Sequence, residues 1–226
     1  MYVANGFDAE KIVVNKNGIL PPSARVDRPP TRGRPLRFGY VGGETPIKGA
    51  HLIKKAFRSL PQKNYELHVV DNALNLGLST IHTNGWQVPG TLKIVPAYTR
   101  DTIDDFFNGL DVLLFPTQWK ESFGLSVREA LIRDVWVITT DAGGVIEDIV
   151  PGENGEIIPL DDDGTALASA IGRLLDQPAR LDGYRNPHAG QVRLFDQQAD
   201  ELAAMLAGVM SSAAADRSDQ PLLAAS

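Results

Sequence analysis

The chain has 226 residues, 43% of them hydrophobic and 22% charged, the composition of a soluble folded domain with a sizeable core. Its 28 acidic residues outnumber 22 basic ones, giving a net charge of −6 with no basic block, so nucleic acid is not an expected partner. The absence of cysteine excludes a disulfide framework and thiolate chemistry, no apolar run reaches membrane-spanning length, and no secretory signal is visible at the N-terminus.

Residues 1–35 are irregular. KIVVN (11–15) reads as a short strand, Asn17-Gly18 as a turn, and a Pro- and Arg-rich stretch follows up to Pro35. LRFGYV (36–41) reads as a buried strand, and residues 48–60 as a helix with Leu52, Ile53, Ala56, Phe57 and Leu60 inward, ended by Pro61. YELHVV (65–70) is a second strand. Residues 71–89 carry no clear pattern. LKIVP (92–96) is a third strand, 102–110 a short helix, 112–115 a fourth strand and 125–132 its following helix. VWVITT (135–140) and EIIPL (156–160) complete six core strands. Residues 165–175 form a helix capped within Asp161-Asp162-Asp163, and 191–210 a last helix with Leu194, Phe195, Leu202, Met205 and Leu206 on one side. Residues 211–226 have the composition of a disordered tail. Strands that alternate with helices imply an α/β fold: a parallel sheet covered by helices on both faces, with ligands bound outside the carboxyl ends of the strands.

The most informative stretch, PTQWKESFGLSVREAL (116–131), stands in such a place. Glu121 and Glu129 are eight residues apart, a spacing that puts them on roughly one face if both are helical. Between them Ser122-Phe123-Gly124-Leu125 opens a helix whose unpaired N–H groups point back at the loop and attract an anion. Two carboxylates suit hydroxyl groups rather than phosphate. A ligand with both phosphates and many hydroxyls is a nucleotide-sugar. A second segment, GYVGGETPIKG (39–49), is a glycine-rich turn that ends on Lys48. Its glycines let backbone approach a phosphate, and the lysine brings a positive charge.

These segments resemble the E-x7-E signature and the G-R-x4-K-G turn of retaining glycosyltransferases of the GT-B fold, family 4 type. The resemblance covers residues 5–205, and it implies that the chain is one half of a GT-B fold, a Rossmann-like domain. It implies that Glu129 holds the nucleotide ribose and that Glu121 contacts the transferred sugar. Gly42, Gly43, Ser122, Phe123, Gly124 and Leu125 would line the donor, and Lys48 would grip the diphosphate. Glu121 and Lys48 would serve the transfer step. The chain departs from the pattern at Gly43, where the family has an arginine that clamps phosphate; Arg100 and Arg128 are candidates to replace it. DAGGVIEDIV (141–150) resembles the family's Gly-Gly turn, with Gly143 and Gly144 closing over the donor and Glu147 bracing a short helix. PAYTRDTI (96–103) resembles the loop beside the nucleobase, where Tyr98 is a candidate to stack. Further departures are Val70, Asp71, Asp134 and Trp136, which replace Gly or Pro in turns.

By the same resemblance, residues 1–35 are the lead-in from a missing N-terminal, acceptor-binding domain, residues 36–210 are the donor-binding domain, and the fragment alone is expected to be inactive. The donor would be a nucleoside diphosphate sugar, with no other cofactor and no metal. The setting is expected to be cytoplasmic, with any membrane association peripheral and made through the missing part. His51, His68, His82 and His188 show no metal-ligand spacing, and Asp161-Asp162-Asp163 is read as a helix cap rather than a metal site. A non-catalytic binding module on the same fold is the alternative; an epimerase of the fold ranks last, since such enzymes lack the E-x7-E arrangement.

Overall fold

The computed structural model describes residues 2–218. They separate into two compact units, Pro21–Val192 and a smaller one formed by the segments before and after it.

The larger unit is built on six parallel strands: β1 (Leu36–Tyr40), β2 (Tyr65–Asp71), β3 (Thr91–Pro96), β4 (Val112–Phe115), β5 (Trp136–Thr140) and β6 (Gly155–Ile158). Their spatial order is β3-β2-β1-β4-β5-β6. Successive side chains on a strand point to opposite faces. Every residue of β4 and β5 is buried, so both faces of the sheet centre are covered, as the uninterrupted apolar runs demand. Helices α1 (Ala50–Ser59) and α4 (Thr165–Asp176) share one buried cluster, in which Leu52, Ile53, Ala56 and Phe57 meet Leu167, Ala170, Ile171 and Leu174. The short helices α2 (Ile103–Asn108) and α3 (Leu125–Leu131) follow β3 and β4. The strand order reverses direction between β1 and β4, and the carboxyl ends of these two strands are where open sheets of this kind bind ligands. The loops that leave β1 and β4 are the two segments singled out by sequence.

The acids before α4 act as expected. Asp162 accepts from the N–H groups of Ala166 and Leu167 at 2.9 and 3.1 Å, and Asp163 from that of Thr165 at 3.1 Å.

In the smaller unit, residues 11–15 are not a strand. Residues 9–11 form a single 3-10 turn, and Val13 and Val14 are exposed. β-branched composition alone does not make a strand without an edge to pair with. The only strand-like pairing of this segment among the described residues is one bridge, from Ile19 to Leu194. The last helix, α5, spans Phe195–Ser218, so it begins four residues later than expected and continues into the segment expected to be a tail. Residues 219–226 of that expected tail lie outside the described residues. Residues 21–35 group with the sheet, and α5 groups with the N-terminal segment.

Candidate functional site

The loop after β1 turns at Gly42 and Gly43, makes a 3-10 turn over Pro46–Lys48, and enters α1. The loop after β4 runs from Pro116 to Gly124. The two are joined directly: the Gln118 N–H donates to the Ile47 carbonyl at 2.7 Å, and the Thr117 hydroxyl donates to the same oxygen at 3.3 Å. This juncture brings Lys48 Nζ to 2.5 Å from Glu121 Oε1, with Thr117 Oγ1 at 3.3 Å from the same carboxylate oxygen. Lys48 also lies over the Phe115 ring, 5.8 Å from its centroid. The two residues assigned by sequence to opposite parts of one ligand are thus an ion pair at the topological switch point.

The loop after β5 closes the other side. Glu121 N–H donates to Ala142 O at 2.8 Å, and Gly144 N–H donates to Glu121 O at 2.9 Å. A side chain at Gly144 would collide with the Ser122 carbonyl, so glycine there lets the two backbones touch. Gly143 and Gly144 therefore pack against the Glu121-Ser122 backbone. Helix α3 starts after Gly124, whose φ is 77°, and no side chain caps it. Glu121 lies in the loop four residues before this helix and Glu129 within it, so the condition for a shared helical face, that both be helical, is not met. The two acids sit in separate hydrogen-bond clusters.

Glu129, on α3, accepts a hydrogen bond from the Tyr98 hydroxyl at 2.6 Å. Burial pushes its carboxyl above the usual range, against the Tyr98 hydrogen bond and the charge of Arg133, which pull the other way. The Tyr98 phenol is pushed up by its own burial and by the negative charge of Glu129. The Tyr98 ring stacks on Phe106, with centroids 4.9 Å apart and planes at 28°, and packs on Phe107. Its expected stacking partner, a nucleobase, would thus share the ring with Phe106. Beside it a shallow hollow of about 510 Å³ is lined by residues that include Asn75, Pro96, Ala97, Tyr98 and Phe106.

Neither candidate to replace the missing arginine is placed at Lys48. Arg128 is 2% exposed. Its guanidinium bonds the Phe123 carbonyl, the Gly144 carbonyl at 3.0 Å and Asp148 at 2.6 Å, and lies 3.7 Å from the centre of the Phe123 ring. It clamps the loops after β4 and β5 together, with each of its three nitrogens engaged inside the protein. Glu147, expected to brace its turn, lies 3.9 Å from the same guanidinium. Arg100 is exposed in the turn before α2. Gly43 has φ of 58° with open space where a side chain would stand. The left-handed backbone, rather than crowding, is what disfavours an arginine there. Among the described residues no cluster of three or more His, Asp or Glu side chains is arranged to hold a metal. His68 pairs with Glu66 at 2.9 Å and His188 with Glu153 at 2.7 Å.

Sequence reasoning missed the burial and the partners of three charges. Asp71, at the end of β2, accepts from Ala73, Ser79, Thr80 and Ile81. Burial opposes its ionisation, but these bonds, led by those from Thr80, hold it down at about 2. Asp111 pairs with Arg34 at 2.7 Å and Arg37 at 3.0 Å under the amino end of the sheet. Asp134, where the family turn has glycine, takes φ of 57° and accepts from Arg185 and the Asn186 N–H at 2.8 and 2.9 Å. Aspartate is one of the few side chains that tolerate that conformation.

The fold, with its loops gathered at the switch point, is that of a glycosyltransferase domain. The chain belongs to the family described as glycosyl transferases group 1, whose model matches residues 27–187. It is 31% identical over 146 residues to the capsular polysaccharide biosynthesis glycosyltransferase CapM of Staphylococcus aureus, covering 62% of this chain and 36% of that one. It is 32% identical over 112 residues to the lipopolysaccharide core biosynthesis mannosyltransferase LpsB of Rhizobium meliloti, covering 48% and 32%. The chain spans less than half the length of the curated relatives it matches. Among solved structures it is similar to Anabaena HepE in complex with UDP-glucose (TM-score 0.62, 18% identity, 77% of this chain and 49% of that one). These neighbours are GT-B glycosyltransferases, so the half-GT-B, Rossmann-like architecture holds. No described helix is long and apolar enough to cross a membrane.

Proposed function

We propose that this chain is the nucleotide-sugar-binding, C-terminal domain of a retaining glycosyltransferase of the family 4 type. The parent protein would transfer a hexose from a nucleoside diphosphate sugar to a glycan, lipid or small-molecule acceptor held by an N-terminal domain. The observation that carries this reading is the Lys48–Glu121 pair at the switch point between β1 and β4. A cation for the diphosphate and an acceptor for sugar hydroxyls stand together in the crevice where such sheets bind nucleotides. The UDP-glucose complex of HepE and the polysaccharide-forming roles named for CapM and LpsB support the donor and acceptor classes.

In this reading Lys48 reaches a diphosphate only by giving up Glu121, which turns to the sugar. Lys48 then stabilises charge that develops on the departing diphosphate, while Glu121 orients the sugar ring. Glu129 accepts from the ribose. Backbone N–H groups of Gly42, Gly43 and of the Ser122 to Leu125 turn complete the phosphate and sugar contacts. The chain binds donor but transfers sugar only with its acceptor domain. Gly43 and the sequestered Arg128 favour a second reading, a binding module without turnover. The test is calorimetric titration with UDP, GDP and ADP. Selective binding of one nucleotide, weakened by Lys48→Ala and by Glu129→Ala, supports the donor site. No binding by the domain joined to its upstream half sinks it.

A further inference from the structure

We propose that Tyr98 is a positioning residue for Glu129 and thereby sets the preference for a ribonucleotide over a deoxyribonucleotide; this inference rests on the donor-site reading above. A half-buried glutamate on a seven-residue helix has two carboxylate oxygens and several rotamers. Here Oε2 is fixed by the Tyr98 hydroxyl at 2.6 Å, which leaves Oε1 as the acceptor for a ligand hydroxyl. The same phenol oxygen is 3.4 Å from Ser126 Oγ, one turn earlier on α3, so Tyr98 ties the loop after β3 to the first turn of that helix.

The tie is stiff because the ring cannot swing. It stacks on Phe106 at 4.9 Å and packs at a 60° tilt on Phe107 at 5.2 Å, and Phe107 is fully buried. Aromatic contacts of this kind hold a ring in one orientation and cost the hydroxyl little freedom when it bonds. A phenol donating to a carboxylate is a charge-assisted hydrogen bond, stronger and more directional than a neutral one. Tyr98 thus acts through its hydroxyl on Glu129. Phenylalanine at 98 would keep both ring contacts and remove only the hydroxyl.

The experiment titrates the wild-type chain, Tyr98→Phe, Glu129→Gln and the double variant. The probes are the nucleoside diphosphate the chain selects and its 2′-deoxy and 3′-deoxy analogues. The expected result is that Tyr98→Phe weakens the ribonucleotide about three- to tenfold and leaves at least one deoxy analogue little changed. In the Glu129→Gln background, adding Tyr98→Phe should cost no more, since both act on one contact. Equal weakening of ribo- and deoxyribonucleotides, or effects that multiply in the double variant, would overturn the inference and leave Tyr98 as a structural tie. Failure of the wild type to bind any nucleotide, or binding indifferent to Glu129→Gln, would sink the donor-site reading itself and this inference with it.

Discussion

Replacing Glu121 by glutamine separates the two roles that the ion pair joins. The carboxylate lies 2.5 Å from Lys48 and, in the proposed reading, competes with a phosphate oxygen for it. Glu121→Gln removes that competitor. The pair is only partly shielded, with the lysine side chain 39% exposed and the glutamate 19%, so it contributes about 0.5–1 kcal/mol rather than the larger worth of a buried pair. Releasing Lys48 should therefore tighten free nucleoside diphosphate by about two- to fivefold. The intact sugar nucleotide loses a charge-assisted contact to its hydroxyls, worth about 1 kcal/mol beyond what the amide retains, or about fivefold. The release of Lys48 favours both ligands alike, so preference for intact donor over free diphosphate should fall by about fivefold. Titration calorimetry at fixed ionic strength measures both affinities. The reasoning is refuted if Glu121→Gln weakens the free diphosphate as much as it weakens the sugar nucleotide.

Other substitutions probe the scaffold around that pair. Arg128→Met should leave Asp148 and two loop carbonyls without their partner and cost about 3 kcal/mol, a fall in Tm of about 6–12 °C by scanning calorimetry; a fall under 2 °C would show that the clamp is not structural. Asp71 is held below its ordinary value, so the stability it adds is complete above the ordinary carboxylate range and is lost as pH falls towards about 2. Asp71→Asn should flatten the acid limb of a stability-versus-pH curve below about pH 4, and an unchanged slope there would contradict the assignment. Gly43→Arg has room for its side chain but must accept φ of 58°, at a stability cost of about 1–2 kcal/mol. It should nonetheless tighten diphosphate binding several-fold, and weaker binding would place the phosphates away from this turn.

The six strands were legible because each is a short, largely apolar run bounded by turn residues, and the central β4 and β5, buried throughout, show no polar alternation at their inner positions. The sheet order gives Lys48 and Glu121 a meaning that spacing alone could not. They are 73 positions apart in sequence, and only adjacency of β1 and β4 makes them a pair. Glu121 and Glu129 do not share a helical face for a local reason: Gly124 starts α3 three residues after Glu121, which stays in the loop. The run at 11–15 failed because β-branched residues record a preference that only a neighbouring edge can satisfy. The burial of Asp71, Asp111 and Arg128 was invisible because a buried charge looks like a surface charge until its partners are placed. For Arg128 those partners come from two different loops, Phe123 on one and Gly144 and Asp148 on the other. The departure at Asp134 was visible in sequence, and its positive φ supplies the reason glycine is usual there.

The most direct test of the central claim is a crystal structure of the chain with the sugar nucleotide it selects. The account predicts that the diphosphate lies at the switch point on Lys48, that Glu121 has left the lysine for the sugar hydroxyls, and that Glu129 meets the ribose. A nucleotide bound elsewhere, or one bound here with the Lys48–Glu121 pair still closed, would contradict it.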